Sequence, residues 1–316
     1  MNIIFSQIAA GMELTGICVS CLGILQEQYC KRGFMDEILS VVRKQDFEFS
    51  AFLCSISTPV CLLLREHAVW LTLSTAMPLI FTGGRKDDIV PIKDIWKWVN
   101  GPTLAMVLEV PFDLRSTFEV LLTFVHPVNM SECDFLYDLY PNTFHRRKNT
   151  RQGFEVFNRT NVTKAIEDVT DNRFRKLYRC PPRPLAVPCD CDPITCLREA
   201  IYIAGRYNKY SRRLSQTPWL IDGVRKSELS IEEHVCRPLM DLVKAAECRF
   251  SASGREDVDV LMLGSGRPFV VEFINPRRVI FTREQLDAVQ KMINDSTTDI
   301  AVRDVQVLYS HLCWGF

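Results

Sequence analysis

The sequence predicts a mixed α/β fold of the α+β type, in two domains. Three observations carry that expectation. Apolar residues recur at helical spacing in several stretches, including Met35, Ile38, Leu39, Val42 and Ile92, Ile95, Trp96, Val99. Short β-prone runs alternate with them, such as Thr117–Val125 and Pro268–Ile274. The length, 316 residues, fits two domains of roughly 100–200 residues each.

Composition narrows the class further. Hydrophobic residues make up 47% and charged residues 24%, which supports packed cores. The formal net charge is zero, which argues against tail-driven nucleic-acid binding but leaves room for a local basic face. The 13 cysteines are scattered, odd in number and not spaced as a disulfide scaffold, so they read as reduced thiols of a cytoplasmic or nuclear protein. No uncharged run reaches the ~20 residues of a membrane-spanning helix, and no signal peptide or membrane partner is expected.

Along the chain, the Met35–Val42 pattern predicts an amphipathic helix, Phe47–Ser57 a strand ended by Pro59, and Arg65–Leu73 a short buried element. Gly83-Gly84 reads as a turn and Ile89–Val99 as a helix. Arg146, Arg147, Lys148 and Arg151 form a basic run. Pro181, Pro182, Pro184, Pro188 and Pro193 stiffen residues 179–193, which reads as the linker between domains. Beyond it, Ala200–Ala204 predicts a strand and Ile231–Phe250 a helix bent at Pro238. Val258–Leu263 and Pro268–Ile274 predict a hairpin turning at Gly264-Ser265-Gly266. Arg278–Phe281 reads as a further strand. Thr282 with Gln285 is a capping box for a helix lined by Leu286, Val289, Met292 and Ile293. Asp304–Tyr309 closes the described pattern as a strand.

Two stretches carry candidate chemistry. The first, Gly205 to Arg213, interleaves Arg206, Lys209, Arg212 and Arg213 with Tyr207 and Tyr210. Cations for phosphates and rings for bases are what an RNA strand requires. The second is Ser253-Gly254-Arg255-Glu256-Asp257. If a strand starts there, Asp257 and Asp259 share its apolar face, and Arg255 supplies the compensating charge. A carboxylate so held stays ionised and serves as nucleophile or base. Cys18-x-x-Cys21 has the spacing of half a zinc site. No nucleotide-binding glycine motif and no serine-nucleophile elbow is present.

The segments AGRYNKYSR, QTPW-x-IDG, SGREDVDV and GRPF-x-x-E-x-x-NP-x-R, in that order, resemble the archaeal and eukaryotic tRNA pseudouridine synthase family Pus-ten. Fainter likeness extends over about residues 18 to 306. The resemblance implies an accessory THUMP-containing RNA-binding domain, 18–190, followed by part of a pseudouridine synthase catalytic domain, 195–310, with a largely antiparallel sheet. It implies isomerisation of a T-loop uridine of tRNA without a catalytic cofactor, with Asp257 as the catalytic aspartate and the chain acting as a monomer. It also implies that Cys18 and Cys21 are half of a structural zinc site. Leu261 stands where the family usually has Arg, and Ser215 where it usually has Pro. The chain is shorter than the family pattern at both ends, so the alternative reading is an inactive RNA-binding or scaffolding remnant.

Overall fold

The computed structural model describes residues 16–81, 90–144, 156–225 and 228–308. The Gly83-Gly84 turn, the basic run at 146–151 and the segment from Tyr309 onward lie outside them. The elements in chain order are α1 (Glu27–Cys30), α2 (Arg32–Gln45), β1 (Leu53–Ser57), α3 (Cys61–Ala76), α4 (Pro78–Phe81), α5 (Ile92–Leu108), β2 (Phe118–Val125), α6 (Phe135–Leu139), α7 (Arg159–Asp168) and α8 (Asp171–Leu177). There follow β3 (Asp190–Cys191), β4 (Thr195–Arg198), β5 (Ile201–Lys209), β6 (Leu220–Ile221), β7 (Val224–Arg225), α9 (Ile231–Val243), β8 (Glu247–Ala252), β9 (Met262–Ile274), α10 (Arg283–Ser296) and β10 (Ile300–Leu308). Helices and mixed sheets confirm the α+β class.

The chain divides into two compact units. One comprises 1–41, 53–112 and 120–195; the other comprises 42–52, 113–119 and 196–316. The second unit therefore recruits two early excursions, which no composition shift in the sequence marks. Residues 179–193 are not a free spacer. Pro182 and Cys189 are buried, Cys189 N–H donates to Leu22 O at 2.7 Å, and Arg183 O accepts from Arg65 Nη1 at 3.1 Å. These proline-rich residues pack into the first unit.

In the first unit, α3 runs the whole of Cys61–Ala76, because Leu64, Ala68 and Leu71 form a buried helical stripe. Its Arg65 is fully buried. The guanidinium pairs with Glu132, which also accepts from Tyr178 Oη at 2.7 Å, and a third contact reaches Val19 O at 3.0 Å. Helix α5 extends well beyond Val99, through Gly101 and Pro102.

The second unit is built on an antiparallel sheet of order β10-β5-β9-β8. Helices α9 and α10 supply Ile231, Val235, Leu239, Leu286, Val289 and Ile293 to a core with Ile203, Phe269, Val271, Phe273, Val302 and Val305. Both helices start at capping boxes, Ser230 with Glu233 and Thr282 with Gln285. The expected helix over Ile231–Phe250 ends at Val243, and Glu247–Ala252 is instead the edge strand β8, whose Cys248, Phe250 and Ala252 alternate toward the core. Residues 278–281 are not a strand.

The expected hairpin at Gly264–Gly266 is absent. Met262–Ile274 is one continuous strand, paired with β5 from Arg267 to Phe273 and again at Met262. The pairing register jumps from Tyr207↔Arg267 to Lys209↔Met262, so residues 263–266 bulge out of it. Gly264 and Gly266 take φ of +64° and +70°, conformations that also mark turns, which is why the pattern mimics one.

Gly205, in the centre of β5, faces Phe269 on β9. A Cβ there would lie 2.8 Å from the Phe269 ring and 3.1 Å from Arg303 O. We expect Gly205→Val to overpack this layer and lower stability by about 1–3 kcal/mol. A reduced urea midpoint at constant m value is the expected readout, and an unchanged midpoint would show that the ring moves aside freely.

Candidate functional site

Strand β5 explains where the basic-aromatic residues go. Its alternation turns Ile203, Gly205, Tyr207 and Lys209 toward the helices, and Tyr202, Ala204, Arg206 and Asn208 toward the opposite face. Tyr207 and Lys209 are fully buried. Their placement corrects the expectation that they face RNA: the strand continues through Lys209, so every second residue of the basic stretch enters the core.

Both buried polar groups grip the loop that carries Asp257. Lys209 Nζ donates to Asp257 O at 2.9 Å and Val258 O at 2.8 Å. Burial pulls the Lys209 pKa down, while nearby Glu256, Asp259 and Asp257 oppose the shift. Tyr207 Oη donates to Glu256, lying 2.9 and 3.0 Å from its two carboxylate oxygens. Gln216 Nε2 donates to Tyr207 Oη at 2.8 Å and Gly254 O at 3.0 Å. Burial is the main cause of a raised Tyr207 pKa, so the phenol keeps its proton.

Glu256, not Asp257, is the buried carboxylate. Arg267 Nε approaches Glu256 Oε2 at 2.8 Å, a charge contact without hydrogen-bond alignment, and Arg267 Nη1 donates to Ser253 O at 2.5 Å. Asp257 is exposed and precedes the strand by several residues, in a turn closed by Val260 N–H donating to Asp257 O at 3.1 Å. Among the described residues Asp257 and Arg255 form no ion pair, and both side chains are exposed. This corrects the expected strand-face pairing of Asp257, Asp259 and Arg255. The physical reason is that Glu256, two residues after the left-handed Gly254, takes the inward position and the partner charge.

Of the other basic-stretch residues, Tyr210, Arg212 and Arg213 are exposed and Arg206 is half-buried. Arg212 Nη1 donates to Asp259 O at 2.7 Å, so it too touches the Asp257 loop. The loop is therefore held by Lys209, Arg212, Gln216 and the Glu256 contacts, and Asp257 is displayed at its exposed surface.

Cys18 and Cys21 share a side-chain hydrogen bond, which draws the Cys18 thiol down to about 6 and, with burial, pushes Cys21 up. All described cysteines are free thiols. Among the described residues no three His, Cys, Asp or Glu side chains cluster as metal ligands. An adjacent thiolate and thiol suit a soft cation, so the pair fits half of a zinc tetrahedron and no more. We expect Cys18 to alkylate first, with a rate inflecting near pH 6, because its thiolate persists as pH falls to about 6. Peptide mapping after iodoacetamide pulses across pH checks this, and an inflection near 9 would contradict it.

Residues 18–196 match the family model "Eukaryotic Pus10, N-terminal", and residues 202–312 match "Pus10, C-terminal". The chain belongs to the Pus10 family. It is 42% identical over 292 residues to the Homo sapiens protein named tRNA pseudouridine synthase Pus10, covering 92% of this chain and 54% of that protein. The Xenopus laevis protein of that name is 40% identical over 298 residues, 94% of this chain and 57% of the relative. An archaeal relative from Archaeoglobus fulgidus is 39% identical over 118 residues, 34% of this chain and 32% of the relative. The chain thus spans about half the length of the eukaryotic relatives it matches.

Within the Pus10 C-terminal match lie several residues that the sequence alone does not single out: Glu256, Gln216, Arg267 and Arg303. Glu256 and Gln216 sit inside the motifs already noted. The signal available for Glu256 was the odd-numbered alternation of β5, which turns Tyr207 and Lys209 inward and demands a buried partner. No local pattern marks Arg303, whose neighbours on β5 and β9 are remote in sequence.

Proposed function

We propose that this chain carries the RNA-binding accessory unit and the aspartate-bearing part of a tRNA pseudouridine synthase acting on a T-loop uridine. The observation that supports this reading best is the loop around Asp257. Its flanking residue Glu256 is buried and paired, and its own carbonyl is held by a buried lysine, while its carboxylate stands exposed and forms no ion pair among the described residues. A positioned carboxylate without a protein partner is suited to a reacting atom.

In this reading the Asp257 carboxylate attacks a flipped uridine, at the sugar or the base. The bond between N1 and the sugar carbon breaks and the uracil turns. A carbon–carbon bond from C5 to the sugar carbon forms in its place, the bond to the Asp257 oxygen breaks and returns the carboxylate, C5 loses its proton and N1 gains one. Reactant and product are isomers, so no oxidant, reductant or cofactor is consumed. Flipping costs a few kcal/mol, which contacts to Arg206, Arg212, Arg213 and Arg255 offset, with Tyr210 as a stacking ring. Lys209 and Tyr207 position the loop and do not touch the base.

We assign the first unit to the THUMP-containing accessory domain that the family resemblance implies. Cys18 and Cys21 would hold a structural zinc together with ligands beyond this pair, and no chemical step runs through the metal.

The test is pseudouridine mapping on an unmodified tRNA transcript. The chain is joined to the remaining portion of the human relative, and carbodiimide-stop primer extension reads the product. The expected result is a single modified T-loop uridine. Absence of pseudouridine at every position, in a fusion that still binds tRNA, would sink the catalytic reading.

A further inference from the structure

Strands β5 and β10 place Arg206 directly opposite Arg303. Their neighbours Tyr207 and Val302 point into the helical core, so both arginines leave the sheet on its other face. The Cβ atoms of directly opposed residues lie roughly 4.5–5.5 Å apart, and like charges so placed repel. The nearest carboxylate contact of Arg303 is Nε to Asp304 Oδ2 at 3.9 Å, too long for a hydrogen bond, and Arg206 forms no ion pair among the described residues.

The two guanidiniums instead donate to adjacent main-chain carbonyls of the β9 bulge. Arg206 Nη1 donates to Gly266 O at 3.1 Å, and Arg303 Nη2 donates to Ser265 O. Asn208 Nδ2 pins the same bulge through Met262 O at 3.3 Å and Gly264 O at 3.2 Å. Gly266 must be glycine there: its φ is +70° and a Cβ would lie 2.7 Å from Tyr207 O. The bulge is thus a fixed platform that holds two cations side by side. Arg303 Nε is buried and has no hydrogen-bond acceptor among the described residues. Each guanidinium carries five N–H donors, so most remain available beyond these carbonyls.

We infer that Arg206 and Arg303 together form a binding site for a single phosphate group on the open face of the sheet. Two forked guanidiniums match the oxygens of one phosphate, and the anion cancels the repulsion that the register imposes. The phosphate is a backbone phosphate of bound RNA; free inorganic phosphate is the other source of the same chemistry. The site rests on the reading of this chain as RNA-binding, not on its catalytic step.

The experiment measures tRNA affinity of the full chain against salt concentration for wild type, Arg206→Gln, Arg303→Gln and the double variant. Each single change should weaken binding about tenfold, and the double variant should lose little more. The log–log salt slope of the double variant should fall by roughly 0.7–0.9, the value of one phosphate contact. A fall of about twice that, with additive losses, means separate phosphates and overturns the shared site, as do unchanged affinities. Arg303→Lys keeps the charge but not the fork. It should keep the slope and still lose affinity, which tests the geometry even if the glutamine variant unfolds. Titration of the Arg303 Nε–H resonance with inorganic phosphate and, separately, with tRNA distinguishes the sources. A response to phosphate alone retains the site and rejects RNA as its occupant. Pseudouridine formation with unaltered binding by these variants would remove the phosphate site and leave the proposed activity standing.

Discussion

Asp257→Asn is expected to abolish pseudouridine formation by the completed protein, by roughly a thousandfold or more, while leaving stability and tRNA affinity near wild type. The substitution replaces a carboxylate by an amide of the same shape at an exposed position with no ion pair among the described residues. The groups that hold the loop act on main-chain atoms: Lys209 Nζ on Asp257 O and Val258 O, and Arg212 on Asp259 O. None of these depends on the Asp257 side chain. The change therefore removes the carboxylate proposed as the nucleophile without disturbing the loop. Mass-spectrometric quantification of pseudouridine checks it, with thermal melting and tRNA anisotropy as controls. Turnover that survives the substitution would show that Asp257 is not the reacting group.

The neighbouring carboxylate should behave in the opposite way. Glu256→Ala is expected to cost about 3–5 kcal/mol, because it leaves Arg267 without its partner in a largely buried setting. The Glu256 side chain is 2% exposed and that of Arg267 15%, so water compensates neither well. Tyr207 also loses the acceptor of its hydroxyl, although Gln216 still donates to it. For a unit of this size the melting temperature should fall by roughly 10–15 °C. Activity at low temperature should also decline, since the Asp257 loop loses one of its anchors. A melting temperature within a degree or two of wild type would show that the buried pair contributes nothing net. Two adjacent carboxylates thus separate cleanly: Asp257 is read in turnover, Glu256 in the melting curve.

Much of the fold was legible locally. The capping box at Thr282, the apolar stripe of α10 and the alternation of β2 are short-range patterns, and each produced the expected element, although Met292, expected on the buried face of α10, is exposed. The misreadings have specific causes. Gly264 and Gly266 adopt left-handed backbone in a bulge, and sequence does not distinguish a bulge from a hairpin turn. The stretch 247–252 follows a helix without a proline or glycine to mark the change, and only pairing with β9 makes it a strand.

The division of the candidate site follows the same line. The sequence alone determined that a carboxylate-bearing loop and a basic-aromatic strand belong together, because their residue types and order are a one-dimensional signature. Only the tertiary structure decided which side chains are offered outward. Tyr207 and Lys209 turn into the core because β5 continues through them and its alternation leaves no choice. Glu256 takes the buried charge because Arg267 reaches it from β9, and Asp257 is left exposed. Arg303 meets Arg206 because two strands nearly a hundred residues apart share a register. Such pairings are set by hydrogen-bonded strands and cores, and they have no trace in the local sequence.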